Sequence, residues 1–412
     1  MRVLLSTYGS RGDVEPLAAL AARLQALGAE AIVSAPPDQE FADLLARAGV
    51  PLVPAFLPVR EWIETARRSG GGLPEFAAEM VPAQYDAIGA AAQGCDAVLA
   101  TGLVPSAAAA QCVAEKLGVP YVHASFCPLF LPSHHHRPYP YPGHPLPPEV
   151  TDPEALWDLN ARAMNALFGE AVNAHRASVG LPTVENVRDH VFTDRPWLAS
   201  DPVLWPWQPT GLCDAVQTGA WILPDERPLP ADLLAFLEAG EPPVYVGFGS
   251  MAMQAAKDAA QTAVEAIRAK GRRAILLRGW ADLASTGGGD DCLVVGDVNQ
   301  QALFRRVAAV VHHGGAGTTT TAACAGVPQV IVPKIVDQPY WAGRVAGLGI
   351  GAAHDGPTPT VESLSAALDK ALSPDTRARA ADVAARISTD GAAIAAALLL
   401  DMVGGAAPRD QQ

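Results

Sequence analysis

Residues 307–349, VAAVVHHGGAGTTTTAACAGVPQVIVPKIVDQPYWAGRVAGLG, set a strand, a glycine-rich turn, a helix, a second strand and a second polar turn in succession. Ala308 to His312 is a short apolar run suited to a buried parallel strand. Gly314, Gly315 and Gly317 then let the backbone turn tightly into a helix expected to begin near Thr318. Free N–H groups at such a helix start face an anion. His313 beside them can add a hydrogen bond or a charge toward a diphosphate, the alternative being a strand-end imidazole satisfied by a carbonyl. Successive strand residues alternate faces, so His312 is expected to point the other way. Val330 to Val332 makes the next strand, and Asp337 and Gln338 follow at its carboxyl end, where open α/β sheets bind ligands. A carboxylate and an amide offer acceptors and donors matched to vicinal hydroxyls. Their alternative is a turn pair before a helix starting at Pro339, with Asp337 as its cap.

HHGGAGTT followed downstream by DQPYWAGRV resembles the donor signature of GT-B glycosyltransferases, in the inverting, nucleotide-sugar-dependent family that includes plant and bacterial natural-product enzymes. Further pieces resemble the actinobacterial glycopeptide-antibiotic branch, which decorates vancomycin-like and teicoplanin-like aglycones. They are the opening MRVLLSTYGSRGDVEPLAALAARL, LFGEAVNAHRASVGLP at 167–182, VQTGAWILPDERPLP at 216–230, PPVYVGFGS at 242–250 and AHDGPTPTVESLSAAL at 353–368. The resemblance implies an α/β GT-B fold, with two facing Rossmann-like, doubly wound parallel-sheet domains and a deep interdomain cleft. It places the nucleotide-sugar donor on the C-terminal domain and a heptapeptide aglycone on the N-terminal one.

Length and composition are compatible with this. A chain of 412 residues suggests two or three domains, each large enough for its own core. A formal charge of −14 argues against a nucleic-acid partner. The 6 cysteines are scattered, without a C-x-x-C pair or zinc-like spacing, and read as buried thiols in a reducing cytoplasm. The first apolar run is too short for a signal-peptide core, and Ala392 to Leu400 too short to span a bilayer. A cytoplasmic monomer without membrane attachment is expected.

The βα rhythm predicts strands at Val3–Ser6, Ala31–Ser34, Ala97–Ala100 and Tyr121–Ala124, with helices at Pro16–Leu27 and Ser106–Leu117. It restarts at Val244–Gly247, Ala274–Leu277, Leu293–Val295, Ala309–His312 and Val330–Val332, which points to two doubly wound parallel sheets. The expected division is an acceptor domain over 1–217, a Pro-rich linker over 218–230, a nucleotide-sugar domain over 231–375 and C-terminal helices over 376–412. By resemblance to other GT-B proteins those last helices, near Thr376–Ile387 and Ala392–Met402, cross back to the first domain.

Gly9-Ser10-Arg11-Gly12-Asp13 follows the first strand. Its glycines lack the G-x-G-x-x-G spacing, and the second strand ends in Ser34-Ala35-Pro36-Pro37 without an acidic residue for a ribose, which argues against a nicotinamide oxidoreductase. A carboxylate here can take the proton of an attacking alcohol, so Asp13 reads either as a general base or as a helix cap. The resemblance favours the base, and it sets Ser10 beside the phosphates or the acceptor, where a plain turn serine is the alternative.

The resemblance assigns Ser250 to the donor phosphates with His313, Gly315, Gly317 and Thr318, and reads the nucleotide base through the backbone of Val298, beside Asn299 and Gln300. Arg278 and Trp280 end another strand on that face. Trp280 stacks on the base or packs in the sheet. Asp337 and Gln338 become contacts to the donor's ring hydroxyls. They favour glucose or N-acetylglucosamine from a UDP-sugar over a TDP-deoxyaminosugar, which members of the branch also use.

His134, His135 and His136 stand consecutively in a Pro-broken tract and cannot easily converge on one ion. Its aromatic rings, with the loop around Phe56–Gly72, offer walls for an aromatic acceptor. No D-x-D triplet occurs, so neither a metal nor a cofactor is expected, and helix starts with His313 must supply counter-charge. The expected activity is inverting transfer by direct displacement. Rivals are a sugar epimerase, which needs carboxylates around the altered carbon, and a non-catalytic auxiliary protein, which would lack Asp13 or His313.

Overall fold

A computed structural model of the chain describes residues 1–69, 72–249, 253–278 and 290–405. They group into two compact units. The first holds Met1–Asp201, Trp207–Leu223 and the chain from Ser388 through the helix Gly391–Gly405. The second holds Pro202–Pro206 and Pro224–Ile387.

The first unit is built on a sheet of β1 (Arg2–Tyr8), β2 (Glu30–Ala35), β3 (Leu52–Pro54), β4 (Ala97–Gly102), β5 (Tyr121–Ser125), β6 (Trp197–Leu198) and β7 (Val216–Gln217). Their spatial order is β3-β2-β1-β4-β5-β6-β7, and every pairing is parallel. Helices cover both faces of such a sheet, which explains why Val3, Leu4, Leu5 and Ala97 to Ala100 are fully buried as continuous runs rather than alternating. The second unit repeats the plan with β8 (Val244–Gly247), β9 (Ala274–Leu277), β10 (Cys292–Val295), β11 (Ala309–His312), β12 (Gln329–Ile331) and β13 (Gly351–Ala353). The order is β10-β9-β8-β11-β12-β13, again all parallel. The strand order reverses between β1 and β4 in one sheet and between β8 and β11 in the other. Carboxyl ends at such reversals are where doubly wound sheets hold ligands. Asp13 follows β1, and His313 follows β11.

Among the element boundaries that differ from expectation, three bear on the candidate site. The first helix runs Arg11–Ala26 instead of starting at Pro16, because Ser10 and Asp13 form a capping box that nucleates it five residues earlier than the proline. The glycine-rich turn enters its helix at Ala316, with Gly315 as cap, rather than near Thr318. The helix after β12 starts at Gln338 behind Asp337, whose side chain makes no cap bond.

The segment 218–230 carries neither helix nor strand, and one of the chain's four passages between the units falls inside it, between Leu223 and Pro224; the others fall after Asp201, Pro206 and Ile387. Of the last helices, Pro374–Ala384 packs on the helix Ala316–Cys324 of the second unit. Gly391–Gly405 packs on the helix Arg11–Ala26 of the first, burying Ala392, Ala395, Ala396 and Leu399 at helical spacing. Its start depends on two glycines. A Cβ at Gly391 would overlap the Gly219 backbone, where φ is +87°. Among the described residues no helix is long and apolar enough to cross a membrane.

Candidate functional site

In the first unit β1 delivers Tyr8, and the capping box follows at once. The Ser10 backbone N–H donates to Asp13 Oδ2 at 2.7 Å, the Ser10 hydroxyl lies 3.3 Å from the same oxygen, and the Gly12 N–H donates to Ser10 Oγ at 3.2 Å. Asp13 therefore does cap its helix, through one carboxylate oxygen. A Cβ at Gly9 would overlap that oxygen, so glycine is required for the carboxylate to fold back over the turn. Arg11 pairs with Glu15 at 2.7 Å along the helix.

Beside this turn stands an aromatic cluster that the sequence shows only as scattered rings. Tyr8 meets Phe56 at 5.5 Å and Phe76 at 6.3 Å, and Trp62 packs on Phe76 at 4.2 Å. The Tyr8 hydroxyl donates to the Leu57 carbonyl at 2.9 Å, tying the loop that bears Phe56 to the end of β1. The three consecutive histidines sit in a turn and reach separate partners. His134 meets Thr210, His135 meets the Pro209 carbonyl, and His136 meets the Arg137 carbonyl.

In the second unit the paired histidines after β11 differ sharply. His312 is fully buried, with its Nδ1 accepting from the Gly314 N–H at 3.1 Å and its Nε2 facing Gln329 Oε1 at 2.9 Å. An Nδ1 that accepts leaves the proton on Nε2, so His312 is a neutral brace for the glycine turn. His313 faces the other way, between two glycines. A Cβ at Gly315 would lie 2.7 Å from its Nε2, and one at Gly249 2.9 Å from its Cε1. Its Nδ1 is buried and has no hydrogen-bond partner among the described residues. Burial pushes its pKa down to about 4 against a smaller upward pull from the Gly247 backbone beside the ring, so it presents a neutral imidazole rather than a charge.

The helix Ala316–Cys324 starts beside it without a side-chain cap, leaving its first N–H groups to an incoming acceptor. The Thr319 and Thr320 hydroxyls bond back to the Gly315 and Ala316 carbonyls, whereas that of Thr318 has no such bond among the described residues. On the neighbouring strand, β12, the chain leads to Asp337 and Gln338. Burial pushes the Asp337 carboxyl up, and the Trp341 indole donates to its Oδ2 at 3.0 Å. Gln338 is buried, and its Oε1 accepts from the Lys334 and Ile335 N–H groups at 2.8 and 3.2 Å. The expected match to vicinal hydroxyls is thus narrower: Asp337 Oδ1 remains as acceptor and Gln338 Nε2 as donor.

The remaining donor-side residues are less gathered. Val298 is buried in the turn after β10, packed with Leu303 and Phe304. Asn299 is engaged structurally, donating to the Asp225 and Arg227 carbonyls at 2.7 and 2.9 Å. The Arg278 side chain is exposed just after β9. Ser250 and Trp280 lie outside the described residues.

Buried imidazoles make acid stability a test of this packing. His123 and His312 are each held down to about 3 by burial, and His313 to about 4, against an ordinary 6.5. A depressed histidine pKa means the unfolded chain binds the proton first. Stability is therefore intact above the ordinary value and falls as pH drops from there toward 4, by about 1.4 kcal/mol per pH unit for each imidazole. Melting temperature should be level between pH 8 and 7 and decline steeply below 6. A level profile down to pH 5 would contradict the burial.

Comparison with known proteins follows the same lines. Residues 289–396 match the family model of the erythromycin biosynthesis protein CIII-like C-terminal domain. Over 410 residues the chain is 57% identical to glycosyltransferase GtfE of Amycolatopsis orientalis, covering 99% of each. It is 54% identical to the vancomycin aglycone glucosyltransferase and 51% identical to the dTDP-epi-vancosaminyltransferase of the same organism, with 98% of each chain covered in both cases. The fold is similar to that of the solved glycosyltransferase of kitacinnamycin, with a TM-score of 0.73 at 21% identity over 97% of this chain and 98% of that one.

Proposed function

Because the chain belongs to the GT-B glycosyltransferases of the vancomycin-type glycopeptide branch, we propose that it moves glucose or N-acetylglucosamine from a UDP-sugar onto a hydroxyl of a glycopeptide aglycone. One observation carries the donor half. The adjacent parallel strands β11 and β12 lead, at their carboxyl ends, to an uncapped helix start with the unpartnered His313 Nδ1 and to the Asp337–Gln338 pair. The first suits a diphosphate, and the second suits the sugar attached to it. Val298, Arg278, Ser250 and Trp280 are assigned with them to the nucleotide, and Ser10 to the phosphate side of the first unit.

In the reaction Asp13 takes the proton from an acceptor hydroxyl as that oxygen attacks the anomeric carbon. The bond to the nucleotide diphosphate breaks on the opposite face, inverting the configuration. The diphosphate leaves with its extra charge held by the helix N–H groups and His313, and neither a metal ion nor a cofactor is invoked.

A second reading, transfer of a TDP-deoxyaminosugar to the same acceptor class, is favoured by the similarity to the dTDP-epi-vancosaminyltransferase. The two diverge at Asp337. With a glucose-like donor, Asp337→Ala should lose transfer by about 10- to 100-fold while UDP affinity changes little, since a site built for a hydroxyl is left unpaired without it. The wild type should then use a TDP-2,3,6-trideoxysugar poorly. Kinetics with both donors on one aglycone decide it, and better turnover of the deoxysugar would replace the glucose reading by the second.

A further inference from the structure

The turn between β12 and the helix Gln338–Leu348 is tightly bonded yet turns two aliphatic side chains outward. Ile335 is 60% exposed and Val336 is 38% exposed. They are the only consecutive pair of large exposed hydrophobics among the described residues. Val336 also has φ +55°. A β-branched side chain in the left-handed region is a genuine outlier, and backbone strain of this kind gathers at ligand clamps.

Nothing local relaxes the turn. Gln338 Oε1 holds the Lys334 and Ile335 N–H groups, and the Gln338 N–H donates to the Ile335 carbonyl at 3.1 Å. The helix behind is itself anchored. Tyr340 stacks on Trp205 at 3.7 Å, and the Arg344 Nε donates to the Leu204 carbonyl at 2.7 Å. Strain is thus imposed by a rigid frame, and what the frame presents is apolar.

We propose that Ile335 and Val336 form an apolar step that seats an aromatic face of the acceptor next to the transferred sugar. The inference rests on the assignment of Asp337 to that sugar. The acceptor oxygen must come within bonding approach of the anomeric carbon, so groups one and two residues from a sugar contact reach either the sugar or the acceptor. The hydroxyl-rimmed ring of a glucose-like donor and its phosphates gain little from aliphatic side chains, whereas an aromatic ring edge gains buried area, and a deoxysugar seated there instead would show as a rise confined to the donor KM. The occupant is therefore the acceptor.

Initial-rate kinetics of Ile335→Ser, Val336→Gly and Asp337→Ala, with donor and aglycone varied separately, test it. Ile335→Ser should raise the aglycone KM about 5- to 10-fold, the scale of partial burial of one aliphatic side chain, at unchanged donor KM and melting temperature. Val336→Gly should raise the aglycone KM similarly while holding or raising the melting temperature, since glycine accepts the positive φ without strain. An unchanged aglycone KM in Ile335→Ser overturns the proposal, as does a rise confined to the donor KM. If Asp337→Ala transfers normally, the sugar assignment falls and this inference with it. If Asp337→Ala is impaired while Ile335→Ser binds aglycone normally, this inference alone falls.

Discussion

Asp13→Asn lowers turnover at least ~100-fold, the scale on which general-base loss is measured, while nucleotide binding and fold stability stay near wild type. Asparagine is the informative replacement because it separates the capping that the structure shows from the general-base role proposed for Asp13. Its Oδ2 accepts from Ser10 and closes the capping box, and an amide oxygen can still accept there. An amide cannot take a proton from an alcohol. Asp13→Ala removes both functions and should add a loss of stability of the order of 1 kcal/mol for a lost cap, read as a lowered melting temperature. Steady-state turnover and thermal melts of the two variants separate the roles. Near-normal turnover in Asp13→Asn would leave Asp13 as a helix cap only.

His313→Ala weakens UDP affinity and turnover together by roughly 10- to 100-fold, as expected for a hydrogen bond to a charged partner worth about 1.5–3 kcal/mol. The buried imidazole stays neutral until pH falls toward 4. Nucleotide affinity should accordingly show no titration near 6.5, which distinguishes a neutral donor from an imidazolium. Calorimetric titration of a UDP-sugar, whose diphosphate diester has no ionisation of its own near neutrality, between pH 5.5 and 8 checks this, and affinity rising steeply on acidification through 6.5 would refute it. Chelator should leave turnover unchanged. Strict dependence on a divalent ion would mean that the helix start and His313 do not carry the diphosphate charge.

Much of the architecture was legible because central strands of parallel sheets are buried on both faces and read as apolar runs. Val3–Ser6, Ala97–Ala100, Val244–Gly247 and Ala309–His312 all lie within observed strands. The short strands β3, β6, β7 and β13 escaped notice. Two or three residues carry too little pattern, and their pairing depends on neighbours distant in sequence. The early start of the first helix was written in Ser10 and Asp13, and the sequence offered Asp13 as a cap, but the expected start was placed at Pro16 from the apolar spacing rather than from that cap.

For the donor site, sequence alone determined which chemical groups follow β11 and β12: glycines, a histidine, a carboxylate and an amide. Local chain geometry demands glycine at tight turns, and alternation along a strand separates His312 from His313. Only the tertiary structure decided how those groups are engaged. Gly249 and Gly315 close around His313 and burial removes its charge, Trp341 takes one oxygen of Asp337, and the Lys334–Ile335 backbone takes the oxygen of Gln338. Desolvation and hydrogen-bond saturation depend on every atom nearby, most of them contributed by other elements of the chain, so residue type and spacing do not encode them.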